Sequence, residues 1–129
     1  MRPAHLSLGA EGERLAKIYI ERLGWKVVGQ NVHVGHKEID LIARDGRTTV
    51  FIEVKTRVGD AFGIPEESVT KKKLKLVQTA VALYVRKHPD ITQVRLDVIA
   101  LQYPANGQGK PKLRHLKAVD GGSPLPFLP

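Results

Sequence analysis

Glu38-Ile39-Asp40-Leu41-Ile42-Ala43, followed after a short break by Val50-Phe51-Ile52-Glu53-Val54-Lys55-Thr56-Arg57, is the stretch that decides the fold. Both runs are apolar enough for strands, yet each carries ionised side chains. A strand sends alternate side chains to opposite faces, so Glu38 and Asp40 are expected on one face, and Glu53 with Lys55 on one face of the next strand. Asp45-Gly46 between the runs is a hairpin signal, which makes strands around 37–44 and 48–56 antiparallel neighbours. In that register Asp40 and Glu53 come close across the pair, with Lys55 two positions further along the same face. Alternation also puts Ile39, Leu41 and Ala43 together, and Val50, Ile52 and Val54 together. Ile42 and Phe51 add apolar bulk to the charged faces, so both sides of the hairpin are expected to be covered.

Outward from the hairpin, Ser7 to about Leu23 reads as a helix, with Leu8, Leu15, Ala16, Tyr19 and Leu23 on one stripe and Gly24 as its stop. Glu13 falls at the edge of that stripe beside Ala16 and Ile20, facing the rim of the core. Trp25 to Val34 reads as a first strand, and Gly35-His36 as a turn. Downstream, Gly59 to Pro65 is a loop, and Thr70 is placed to cap a helix over 70–87 whose Leu74, Val77, Val81 and Tyr84 recur at helical spacing. His88-Pro89 ends it. Val94 to Leu101 is a further strand, reached by a crossover through that helix. A loop over Tyr103–Pro111 and a short edge strand over Leu113–Val119 complete one α/β domain across 1–120. Residues 121–129, rich in Pro and Gly, are expected to be an irregular, mobile tail.

The bulk numbers agree with a single core: 129 residues, 42% of them hydrophobic. The sequence lacks a continuous apolar run of about 18 residues, and Met1-Arg2-Pro3-Ala4-His5 lacks the apolar core of a signal peptide, so a cytoplasmic protein without a membrane partner is expected. The absence of cysteine excludes disulfides, thiolate zinc sites and cysteine nucleophiles. The histidines, at 5, 33, 36, 88 and 115, show no ligand spacing on one element. A net charge of +8, from 21 Lys and Arg against 13 Asp and Glu, points to a polyanionic partner, nucleic acid first. Lys71, Lys72, Lys73 and Lys75 open a helix, where cations oppose the dipole, so contact with phosphates is the expected compensation; Arg57 is a similar case. Arg95 and Asp97 share a strand face and are expected to pair with each other, and Trp25 and Tyr84 to belong to the core.

Converging carboxylates repel each other, and a hard divalent cation removes the penalty. Magnesium (or manganese) takes oxygen ligands and completes its shell with water and substrate phosphate. Asp40 and Glu53 are the expected ligands, with the carbonyl of Val54 as third candidate. Lys55 is expected to orient or help deprotonate the attacking water and to offset charge developing on the phosphate.

The order helix, three strands, helix, strand, with Asp40 and then Glu53-Val54-Lys55, resembles the restriction-endonuclease-like superfamily of metal-dependent nucleases. Gly12-Glu13-x-x-Ala16, Glu38-Ile39-Asp40-Leu41-Ile42-Ala43, Phe51 to Arg57 and Arg95-x-Asp97-Val98 resemble more closely the bacterial YraN-type family, itself similar to archaeal Holliday-junction resolvases. Lys37 stands where that family usually has Gly. The resemblance implies a mixed sheet flanked by helices in the order αβββαβ. It implies Asp40 and Glu53 as metal ligands, Lys55 as catalytic lysine, and Glu13 as a helix-borne acid reaching the same pocket. The expected activity is a magnesium-dependent endonuclease acting on DNA, with branched DNA and a homodimer as narrower expectations. A nucleic-acid-binding module that keeps the fold without turnover is the alternative, and a subunit active only within an assembly is a third.

Overall fold

The computed structural model describes residues 7–59 and 71–119. The elements run α1 (Leu8–Arg22), β1 (Lys26–Val34), β2 (Lys37–Asp45), β3 (Thr48–Val58), α2 (Lys71–Arg86), β4 (Gln93–Tyr103) and β5 (Lys112–Leu116). They form one mixed five-stranded sheet in the order β1-β2-β3-β4-β5. Only β3 and β4 are parallel among the neighbouring pairs, because α2 carries the chain across between them. This is the α/β, restriction-endonuclease-like core expected from the sequence, with β5 added at the edge. Thr70, most of the loop 59–65 and the tail 121–129 lie outside the described residues.

Local chemistry explains the boundaries. Ser7 accepts a hydrogen bond from the Ala10 amide to open α1, and Gly24, at φ +88°, turns the chain after it. Gly46, at φ +60°, makes the tight turn of the β2–β3 hairpin, where Asp45 pairs with Thr48.

Each face of the sheet is covered by one helix. Ala16 and Ile20 of α1 pack with Trp25, Leu41, Ala43, Val50, Ile52, Ile99 and Leu101. On the other face Val77, Ala80 and Val81 of α2 pack with Ile39, Ile42, Phe51 and Leu96. Two expectations need correction. Leu23 is 44% exposed, because the buried stripe of α1 runs through Gly12, Ala16 and Ile20 and the helix ends before Leu23 can turn inward. Ile39 lies on the α2 face, not with Leu41 and Ala43, so strict alternation fails at the residue between them, Asp40.

Candidate active site

The failure of alternation at Asp40 has a backbone cause. Pairing of β1 with β2 runs from Val34↔Lys37 through Val32↔Ile39 and resumes at Gln30↔Leu41, passing over Asn31 and Asp40. Asn31 is left-handed, at φ +48°, a conformation that asparagine tolerates better than most residues. On the other side, pairing of β2 with β3 runs from Asp45↔Thr48 to Leu41↔Ile52 and stops. Beyond this fork, among the described residues, β2 is paired only with β1, and β3 only with β4. The gap is bridged by side chain: Asp40 Oδ2 accepts from the Val54 amide at 2.7 Å. Asp40 thus takes over an amide at the point where the two strands part.

Three elements deliver acids to this fork. Glu13 comes from α1, and Gly12 beside it allows the approach, since a Cβ there would overlap the Thr56 hydroxyl of β3. Asn31 Nδ2 donates to Glu13 Oε1 at 3.1 Å and to Glu38 Oε1 at 3.0 Å, tying α1 to β2. One carboxylate oxygen each from Glu13, Glu38 and Asp40 lie within 4.8 Å of one another. Glu53 stands on β3, facing α2, with its side chain 9% exposed. Its Oε1 is 3.5 Å from Lys37 Nζ and its Oε2 3.8 Å from Lys55 Nζ, yet among the described residues Oε1 has no hydrogen-bond partner.

The electrostatics follow from this crowding. Burial, and then the Asp40 charge, push the Glu53 carboxyl above its ordinary range, against the pull of Lys37 and Lys55. Asp40 is also raised, by burial, although the Val54 amide, a hydrogen bond with Glu13 and the two lysines oppose the shift. Glu13 is raised by burial and by the neighbouring charge of Asp40. These acids hold protons more tightly than free ones because burial and, for Glu53 and Glu13, the neighbouring Asp40 charge disfavour the ionised form.

A small cavity beside the fork is lined by Lys37, Glu53, Lys55 and, from α2, Lys73, Leu74 and Val77. Lys73 therefore joins the site, whereas Lys72 and Lys75 are exposed on the same helix, outside the cavity lining. Lys71 begins α2. Arg57, further along β3, donates from Nη1 to the Thr56 carbonyl at 2.8 Å. Val54 enters the site through its amide, which donates to Asp40 Oδ2, whereas its carbonyl was the expected third metal ligand. The sequence reading gave Asn31 no role and left Glu38 undecided. An asparagine inside an apolar strand, where it is disfavoured, was the available signal for the first.

Arg95 and Asp97, by contrast, pair as expected and stand on the α1 face with Trp25. Arg95 Nε and Nη2 reach the two carboxylate oxygens at 2.9 and 3.0 Å. His115 of β5 adds a contact at 2.7 Å and the Ala118 amide another at 3.0 Å.

Comparison with known proteins gives a match to the model of "Uncharacterised protein family UPF0102" over residues 12–101, a span holding Glu13, Asn31, Lys37, Glu38, Asp40, Glu53, Lys55 and Lys73. The UPF0102 protein of Beutenbergia cavernae is 40% identical over 114 residues, covering 88% of this chain and 95% of its own. Those of Nocardia farcinica (40% over 115 residues, 88% of each chain) and Geobacter metallireducens (38% over 111 residues, 85% and 88%) are similar at the same level.

Proposed function

This chain belongs to the UPF0102 family, and from the fork between β2 and β3 we propose that it is a metal-dependent phosphodiesterase acting on nucleic acid, DNA in the first place. The observation that carries the reading is the buried Oε1 of Glu53, which lacks a hydrogen bond among the described residues and lies beside an acid cluster from two other elements, α1 and β2. A buried oxygen left in that state costs free energy unless something binds it. The donor set is oxygen only, which fits magnesium or manganese and not zinc. Asp40 and Glu53 would hold the ion, with Glu13 and Glu38 supporting it directly or through water. A cation bound there supplies positive charge to a phosphate undergoing hydrolysis.

The chain's own residues supply the rest. Asn31 fixes Glu13 and Glu38 against each other. The Val54 amide fixes Asp40, so the carboxylate does not have to be ordered when substrate arrives. Lys55, 22% exposed and 3.8 Å from Glu53, would orient the attacking water and offset charge on the phosphate. Lys73 borders the same cavity, and Lys72 and Lys75 extend a basic approach for the phosphate backbone.

The test is cleavage of labelled four-way junction, flap, single-stranded and linear duplex DNA in magnesium or manganese, with size measured in solution. Lys55→Ala is expected to bind DNA as the wild type does and to cleave at least about a hundredfold more slowly, since it acts on developing charge. Asp40→Asn is expected to lose metal and cleavage together. Cleavage by Lys55→Ala at the wild-type rate would overturn the role of the lysine. Metal binding with no cleavage of any of these substrates would favour the non-catalytic binding module.

A further inference from the structure

Lys37 is the first residue of β2, beyond the point where β2 leaves β3, and pairs only with Val34 of β1. Its ammonium is nevertheless 3.5 Å from Glu53 Oε1 across the fork, with the side chain 35% exposed. At that length the contact is a loose ion pair, and Oε1 has no well-formed hydrogen bond among the described residues. Lys55 differs: it stands two residues on from Glu53 on the same strand, is less exposed, at 22%, and its ammonium is 3.8 Å from the other oxygen, Oε2. A lysine partly exposed, weakly held and on a separate strand can swing out; a second cation cannot share Glu53 Oε1 with it.

On the metal-dependent reading above, on which this rests, we infer that Lys37 is the resident counter-ion of Glu53, displaced when a divalent cation binds and then available to a phosphate oxygen of the nucleic acid. Binding of one ligand thereby prepares the site for the other. The cost is a weaker apparent affinity for the cation alone.

The inference is tested with Lys37→Met, which keeps the aliphatic stem along the cavity, and with Lys37→Gln as a second neutral variant. Chelator-stripped protein is titrated with manganese, with no nucleic acid present, and the melting temperature is followed. Both variants are expected to reach half-saturation at manganese concentrations on the order of tenfold below wild type, and Lys37→Arg near wild type. Duplex binding with calcium, compared with no divalent ion, should steepen the log–log salt dependence by about one unit more in wild type than in Lys37→Met. Neutral variants that need as much manganese as wild type, or more, would overturn the inference while leaving the metal site standing. No response to manganese in wild type or in any variant would remove the site and the inference together.

Discussion

Glu53 of β3 and Asp97 of β4 are acids buried in the same sheet, Asp97 one register position from the partner of Glu53, and they face opposite helices. Asp97 is 0% exposed, and burial alone would push its carboxyl up, yet His115, Arg95 and the Ala118 amide together hold it below the ordinary range. Glu53 is buried almost as deeply, at 7% for the whole residue, but among the described residues it has lysines at 3.5 and 3.8 Å, one oxygen without a hydrogen bond, and a raised pKa. Depth of burial is therefore the same and satisfaction is opposite. A buried acid whose lone pairs are all taken is a structural tie between strands; one left wanting marks a place for a ligand.

The largest effect that would break this contrast is at Asp97. Replacing it with Ala leaves Arg95 and His115 facing a void and unties β5 from β4, so a loss of about 3 kcal/mol in chemical denaturation is expected. A loss below about 1 kcal/mol would show that Asp97 is no structural tie. Glu53→Gln goes the other way: removing a charge that burial penalises more than its lysines offset should leave metal-free protein as stable as wild type, or more stable by about 1 kcal/mol, in the same measurement.

Next in size is the pH response. Raised acids bind protons more tightly folded than unfolded, so Glu53, Asp40 and Glu13 contribute stability below their ordinary values of 4.5, 3.8 and 4.5. That contribution is lost as pH rises through their raised folded values. Asp97 has the opposite sign, with stability present above 3.8 and lost as pH falls through its lowered folded value. Melting curves of metal-free wild type are therefore expected to show a decline on going upward from about pH 4 that is smaller in Glu53→Gln. An identical profile in the two proteins would mean that Glu53 is not strained. The smallest effect concerns the approach to the site: Lys72, Lys73 and Lys75 replaced by Ala should flatten the salt dependence of duplex binding, by up to about 0.9 unit of log–log slope each, without shifting the metal-free melting temperature appreciably.

The contrast also shows what the sequence could and could not convey. Helical periodicity and the Asp45-Gly46 turn are local properties, and they located α1, α2 and the β2–β3 hairpin within a few residues. The acids and Lys55 were legible as ions in apolar strands, and Gly12 next to Glu13 now has its reason in the approach of α1 to Thr56. What alternation could not show is the fork. Asn31 in a left-handed conformation and the end of the β2–β3 ladder at Leu41↔Ile52 move Ile39 to the other face and let Glu13 and Glu38 meet. Nor could spacing reveal that Lys37 would cross that fork to Glu53, or that His115, eighteen residues beyond Asp97, would complete the tie on the opposite face.

The most direct measurement of the central claim is the melting temperature of chelator-stripped protein across a magnesium and a manganese titration, in wild type and Glu53→Gln. A ligand that binds only the folded state adds about 2.7 kcal/mol at one hundred times its Kd. Wild type is expected to gain stability toward that figure, and Glu53→Gln to lose most of the gain. A wild-type melting temperature that does not move across the titration would contradict the account.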